Sequence, residues 1–302
     1  MRGLSQQGIR IELIDYADWA PGKLPAAKRE LWFDNLNHPV DSNLALHFCM
    51  PQQVQAVKDK LNVNFTMFEA DRIIKNWVKL NAQHDLVILP TESSQQAWMT
   101  SGFPAEKIRL CPLGVNTDMF HPDVEPMALK DQTEKSIQAY RVRFLNVSDL
   151  TPRKNLFALA KGWIMATHRY DDAVLILKLS SSEERLSEFM RNLEALESRL
   201  GKPRNDAAPI RFLVNRFFSD AEMPGLFAAA THYWSMSHGE GWDLPMMEAG
   251  ATGLHVIAPN HSAYMAYLDD SVARMIPAKT TPVKFKMRDG THKLFRGAKW
   301  WE

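Results

Sequence analysis

The run VRFLNVSDLTPRKNLFALAKGWIMATHRYDDAVLILKL, residues 142–179, decides the fold class of this chain. Residues 142–147 (VRFLNV) read as a strand. Thr151 and Pro152 then open a helix through about His168, with Leu156, Leu159, Ala160, Trp163 and Ile164 as its apolar face. A hydroxyl side chain followed by proline is a helix-start signal. Residues 174–179 are the next strand. Strand, helix, strand at this spacing is the unit of a parallel sheet wound with helices.

The alternation continues downstream. Residues 182–200 predict a charged amphipathic helix and 210–214 a strand. Ser219 with Glu222 forms a capping box for a helix through Ala230, and 233–236 is a further strand. Residues 244–251 predict a short helix with Asp243 as cap, Pro245 near its start and Gly253 past its end, followed by a buried strand over 254–258.

Upstream, residues 9–14 (IRIELI), 44–48 (LALHF), 63–68 (VNFTMF) and 86–89 (LVIL) read as strands. Ile73, Ile74, Trp77 and Leu80 mark a helix over 70–80, and Thr91 caps another that Gly102 ends. The turn-rich stretch from Pro112 through Pro122, Pro126 and the polar run 130–134 reads as an interdomain connection. The expectation is α/β: two Rossmann-like, doubly wound parallel-sheet domains, 1–122 and 123–302.

Composition agrees and excludes much else. The 302 residues suit two domains, and 45% hydrophobic with 24% charged residues is a soluble globular profile. A formal charge of +1 provides no nucleic-acid footprint. No apolar run reaches the roughly 18 residues of a membrane span, and the N-terminus lacks a signal peptide's apolar core. Cys49 and Cys111 stand outside any CxxC spacing, which argues for a reducing, cytoplasmic compartment and against a structural zinc or disulfide framework.

Ligands of open α/β sheets bind beyond the carboxyl ends of the strands. Arg153 and Lys154 are placed in the first turn of the helix after strand 142–147, where the helix dipole disfavours each cation by roughly 0.3–1 kcal/mol. An expected anion explains them, and a solvated helix start explains them equally well. In the segment SHGEGWDLPMMEA, residues 237–249, Gly239 and Gly241 flank Glu240 in a loop leading into a helix, where glycines let a ligand approach the backbone. Glu248 lies on the apolar face of that short helix and needs a partner. Taken alone, a structural carboxylate bonded to a neighbouring loop is the stronger account of it.

Together these residues carry a resemblance. EGWDLPMMEAGATGLHVIA, residues 240–258, with Glu240 and Glu248 separated by seven residues, resembles the signature of the retaining glycosyltransferase group 1 family, family 4 of the sequence classification. PLGVNTDMFHP, residues 112–122, resembles its interdomain segment and Arg153-Lys154-Asn155 its phosphate-binding turn. Gly102 with Lys107 and Ile108 fits the preceding helix and strand, and the resemblance covers most of residues 60–277.

The resemblance implies a GT-B fold of two facing Rossmann domains. It implies transfer of a sugar from a nucleotide-diphosphate sugar to a carbohydrate or glycolipid acceptor, with retention and without an obligatory metal or other cofactor. Lys154 would neutralise the diphosphate, with Arg153 as a second contact. Glu240, with the backbone of Gly239, Gly241 and Trp242, would hold the donor sugar, and Glu248 would accept hydrogen bonds from the ribose. Glu69, after residues 64–68, stands where the family often has an acceptor-side His. His47 is the other candidate there, and a partly buried structural histidine is its better account. The family also allows peripheral contact with a membrane surface.

The chain departs from the pattern at Asp149, where the family has Arg or Lys, and at Asp243, which replaces a common Gly. It also begins without the family's first strand and Gly-rich loop and stops at Trp300-Trp301-Glu302, short of the returning C-terminal helix. The expectation is a fragment whose first domain is incomplete, with unpaired strand edges and exposed apolar surface. The alternative of another class is a non-catalytic nucleotide- or sugar-binding remnant. A nicotinamide dehydrogenase is disfavoured because no GxGxxG follows a strand.

Overall fold

The computed structural model describes residues 2–14, 39–284 and 291–302. After a short helix α1 (Arg2–Gln6), four strands build the first sheet: β1 (Leu44–Phe48), β2 (Leu61–Phe65), β3 (Leu86–Leu89) and β4 (Ile108–Leu110). They pair in the order β1-β2-β3-β4, all parallel. Helices α2 (Lys75–Asn81) and α3 (Glu92–Thr100) cross over between them. Thr91 caps α3 by accepting the Ser94 N–H, and Gly102, at φ +95°, ends its turn.

The second sheet contains β5 (Val142–Asp149), β6 (Ala173–Ser180), β7 (Ile210–Val214), β8 (His232–Trp234), β9 (His255–Pro259) and β10 (Ala273–Ile276). Between these strands run α4 (Leu156–Ala166), α5 (Glu183–Leu200), α6 (Met223–Ala228) and α7 (Leu244–Ala251). The spatial order is β10-β9-β8-β5-β6-β7, every pair parallel. Counted within the sheet this is 6-5-4-1-2-3, the doubly wound order of dinucleotide-binding sheets. β6 shows why: Val174 and Ile176 pack into one core with Tyr233, Phe227 and Met246, while Leu175, Leu177 and Leu179 pack into another with Leu159, Trp163 and Leu193. A strand that must be apolar on both faces lies in the middle of a three-layer stack.

The chain then forms β11 (Thr280–Pro282), α8 (Thr291–Leu294) and β12 (Lys299–Trp301), with β11 and β12 antiparallel. This last segment returns to the first sheet. Phe295 and Ala298 join the core of Phe68, Trp77, Val87 and Trp98, and Lys299 exchanges backbone and side-chain hydrogen bonds with Asp71.

Several boundaries differ from the sequence reading. Residues 9–14 are not a strand: Ile14 is 73% exposed, and alternation alone cannot make a strand without a neighbour for its backbone groups. Helix α2 begins at Lys75 rather than residue 70, because the Asp71 and Ile73 N–H groups bond Lys299 and Ser101 instead of starting a helix. β2 spans Leu61–Phe65, in register with β1, and the chain leaves the sheet before Glu69. Likewise β8 stops at Trp234, and α6 starts only at Met223 although Glu222 does accept from Ser219. Along the edge strand β1, Leu44, Leu46 and Phe48 are exposed, Phe48 to 61%, whereas Val63, beside Leu46 on β2, is buried. No helix among the described residues is long and apolar enough to cross a membrane.

The inward face of this sheet carries a buried imidazole pair. His47 Nε2 donates to Asn62 Oδ1 at 3.2 Å, and the ring packs edge-on against His84 at 5.0 Å. Both ring nitrogens of His84 are buried without a hydrogen-bond partner among the described residues. Burial, and then the charge of His47, push its pKa from 6.5 down to about 4. A histidine that is hard to protonate when folded stabilises above its ordinary pKa and loses that contribution as pH falls toward the folded one. Unfolding in urea should therefore show about 2 kcal/mol less stability at about pH 5 than at about pH 7.5 from His84. His84→Leu should lose measurably less than the parent over that range.

Candidate functional site

The second sheet reverses direction between β5 and β8, which are adjacent partners. The loops leaving their carboxyl ends therefore open into one crevice, the usual ligand position in such sheets. From β5 come residues 150–155, and from β8 residues 235–243.

After β5 the chain does not enter a helix at Thr151. Pro152–Lys154 form a separate 3-10 turn, Thr151 makes no side-chain cap, and Asn155 adopts a left-handed conformation at φ 50° before α4 begins. Arg153 and Lys154 are thus on a turn that aims them across the crevice, and not on the first turn of α4. Lys154 Nζ donates to Glu240 Oε1 at 2.6 Å, and Arg153 Nη1 lies 2.8 Å from Glu240 Oε2 and donates to the Gly239 carbonyl at 2.7 Å. A second carboxylate, Asp243, has Oδ1 3.9 Å from Lys154 Nζ. A third, Glu69 of the loop after β2, has Oε1 3.6 Å from Arg153 Nη2. Two cations therefore meet three carboxylates, one of them from the other sheet.

Burial makes these contacts strong. The Glu240 side chain is 5% exposed, and those of Lys154 and Arg153 14% and 19%. Burial opposes ionisation of Glu240, but Arg153 and Lys154 outweigh it and hold the carboxyl well below the usual range. Burial, reinforced by Glu240, instead raises Asp243 despite Lys154 and the Tyr264 hydroxyl, which donates to Asp243 Oδ2 at 2.7 Å. Asp243 stands just before α7, as expected, but at φ 68° its carboxylate does not cap the helix. Its Oδ1 is buried without a hydrogen bond.

The loop around Glu240 is tightly built. Ser237 Oγ donates to the Gly239 carbonyl, the His238 N–H donates to the Arg153 carbonyl, and the Glu240 N–H donates to Ser262 Oγ. Ser262, in the loop after β9, is also left-handed at φ 46°. Asn155, Asp243 and Ser262 are three non-glycine residues in a conformation costing roughly 1–2 kcal/mol each, and all three border this crevice.

The glycines have distinct reasons. A Cβ on Gly239 would lie 2.3 Å from the backbone carbonyl oxygen of Glu69, and one on Gly241 2.7 Å from the Met67 side chain. The two sheets meet at these glycines. Gly239→Ala should lower the melting temperature strongly, by the equivalent of about 3 kcal/mol, because backbone must move. Gly241→Ala should cost somewhat less, about 2 kcal/mol: Met67 Sδ can turn aside, but Met67 Cβ at 2.8 Å is fixed to its backbone. Parallel thermal melts check the contrast.

Of the other expected residues, Glu248 lies on α7 half-buried, and no hydrogen bond among the described residues reaches its carboxylate. Burial, then Asp243 and Asp220, push its pKa up to about 7. The Trp242 indole is buried, donating to Met247 and packing 5.0 Å from Tyr267. His47 is engaged with Asn62 and His84 in the first sheet. Asp149 ends β5. Sequence reasoning assigned no role to Ser237 and His238, within the 237–249 segment, nor to His261, Ser262 and Trp301; the αL serine and the aromatics at the chain end carried no legible spacing.

No protein-family model matches this sequence, and no curated protein matches it either. Solved structures do. The chain is similar to HepE of Anabaena in complex with UDP and glucose, with TM-score 0.54 and 17% identity over 72% of this chain and 58% of that one. It is similar to the UDP-forming α,α-trehalose-phosphate synthase of Burkholderia xenovorans in complex with glucose-6-phosphate, with TM-score 0.56 and 13% identity over 72% and 58%. Apo OtsA gives TM-score 0.55 and 12% identity over 72% and 57%. The fold is shared with them. It is the α/β arrangement of parallel sheets and helices expected for GT-B chains, and this chain spans a little over half the length of each relative.

Proposed function

We propose that this chain binds a nucleotide-diphosphate sugar and transfers the sugar to a carbohydrate or glycolipid acceptor with retention of configuration. The half holding β1 to β4, residues 1–122, is the acceptor side. Residues 123–302 are the donor side, and their last segment packs back onto the first sheet. The observation that carries this reading is the meeting of Lys154 and Arg153 with Glu240 at the switch point of the second sheet, with Glu248 one helix away.

In this reading Lys154 and Arg153 take the diphosphate and neutralise the charge that develops as the sugar leaves. Arg153 supplies the second cation that Asp149 does not. Glu240, released from the cations by the phosphates, holds the sugar hydroxyls together with the backbone around Gly239, Gly241 and Trp242. Glu69 reaches the same space from the first sheet and serves the acceptor. HepE of Anabaena, which shares this fold, is solved in complex with UDP-glucose.

Glu248 provides the nucleotide test. Ribose hydroxyls donate to a carboxylate, so a group whose pKa stands near 7 must lose its proton to accept them. Nucleotide affinity should rise as pH increases through 7. Glu248→Gln should weaken binding by about 1–3 kcal/mol above that range and flatten the pH dependence. Thermal unfolding against UDP, GDP and ADP and their sugar conjugates measures both. An unchanged midpoint with every nucleotide would overturn the reading. The second reading, a nucleotide-binding remnant without transfer, is favoured by Asp149 and by the exposed apolar residues of β1; binding without transfer or donor hydrolysis would establish it.

A further inference from the structure

Outside the charged cluster, the loop holding Glu240 is fixed by a side chain to which neither the motif nor the relatives assign a role. His261, from the loop after β9, has Nε2 2.9 Å from the Ser237 carbonyl oxygen and Nδ1 2.8 Å from Ser262 Oγ. A carbonyl only accepts, so Nε2 carries the hydrogen and Nδ1 is the acceptor. Ser262 Oγ therefore donates to Nδ1, which leaves its lone pairs to accept the Glu240 N–H at 3.1 Å. One neutral imidazole thus ties both ends of the Ser237 to Glu240 loop, directly at Ser237 and through Ser262 at Glu240.

The imidazole is itself held. Trp301 of β12 stacks on it at 5.0 Å with planes 10° apart, while the backbone of Trp301 pairs with His238: its N–H donates to the His238 carbonyl at 2.8 Å, and His238 Nδ1 donates back at 2.7 Å. His261 is 3% exposed, in a setting that disfavours its charged form, as the relay of donors requires.

We infer that His261 is a positioning residue for Glu240, setting where its carboxylate stands by clamping the Ser237–Glu240 loop beneath Trp301. It touches no reacting atom; its effect passes through Ser262. The inference rests on the donor-site reading above, and it predicts a split that a merely structural residue would not produce. The diphosphate cations come from the turn after β5, and loss of the clamp leaves the Glu240 charge in place to pair with them, so affinity for a nucleoside diphosphate should change far less than sugar transfer. Displacing a positioned group by about 1 Å can cost about 100-fold in rate.

The experiment compares His261→Phe, which keeps the stack on Trp301 but neither hydrogen bond, with His261→Asn, whose Oδ1 can still accept from Ser262. His261→Phe should bind UDP, GDP or ADP within about threefold of the parent and transfer about 100-fold more slowly. His261→Asn should recover about tenfold of that loss. In the parent protein, nitrogen NMR of the imidazole should find His261 neutral with hydrogen on Nε2. Parental transfer rates in His261→Phe would overturn the inference. So would binding, rate and melting temperature falling together in both variants, which marks a packing residue only. If the parent binds no nucleotide, the function proposed above fails, and the spectrum alone decides the clamp: hydrogen on Nδ1, or an imidazolium, overturns it.

Discussion

Glu240→Gln should bind a free nucleoside diphosphate more tightly than the parent and yet transfer sugar about 1000-fold more slowly. The two effects have one origin. The Glu240 carboxylate pairs with both cations, at 2.6 Å from Lys154 and 2.8 Å from Arg153. If these cations take the diphosphate, as proposed, a diphosphate must displace that carboxylate. Removing its charge removes the competitor, which should strengthen diphosphate binding by about tenfold, or roughly 1.4 kcal/mol. The sugar, by contrast, needs that carboxylate once it is displaced, and a neutral amide cannot hold developing positive charge. The unliganded variant should also be less stable, because Lys154 and Arg153 lose their main buried partner; breaking such a pair costs about 3–5 kcal/mol. Calorimetric titration with nucleoside diphosphate, together with a transfer assay, measures both effects. Weaker diphosphate binding in Glu240→Gln would show that the carboxylate supports the phosphate site instead of filling it.

Lys154→Ala should move diphosphate binding in the opposite direction while also abolishing transfer. Here the phosphate partner itself is lost, and a charged hydrogen bond of this kind is worth about 1.5–3 kcal/mol, roughly 10- to 100-fold in affinity. Glu240 would remain buried with Arg153 alone, so its carboxyl should climb back toward the ordinary range and the folded state should weaken. The same titration checks it, and an affinity equal to the parent's would remove Lys154 from the phosphate role. The pair of variants, equal in lost transfer and opposite in diphosphate affinity, separates a self-occupied donor site from a salt bridge that only holds loops.

Much of this was written in local pattern. The strand of residues 174–179, apolar at every position but Lys178, could only be the middle of a stack, and β6 is that. α3, α5 and α7 begin and end at or beside the expected residues, because caps, glycines and prolines act within a few bonds of the backbone they govern. Arg153, Lys154 and Glu240, singled out along the chain, do come together, whereas Glu248, singled out by its spacing from Glu240, lies on α7 with no hydrogen bond to its carboxylate among the described residues. The misread elements failed for a common reason. IRIELI has no neighbouring strand among the described residues, the Asp71 and Ile73 N–H groups go to Lys299 and Ser101, and Thr151 begins a turn whose direction is set across the crevice.

The sequence by itself determined the layered α/β class and the identity of the charged residues, since periodicity, caps and residue type are properties of neighbours along the chain. Only the tertiary structure decided that Lys154 and Glu240, 86 positions apart, are bonded, that Glu69 joins them from the other sheet, and that His261 and Trp301 hold the loop between. Those contacts depend on the order of strands in space, where β8 lies beside β5 and β12 returns across both sheets. That order is fixed by which faces must be buried together, and no window of sequence contains it.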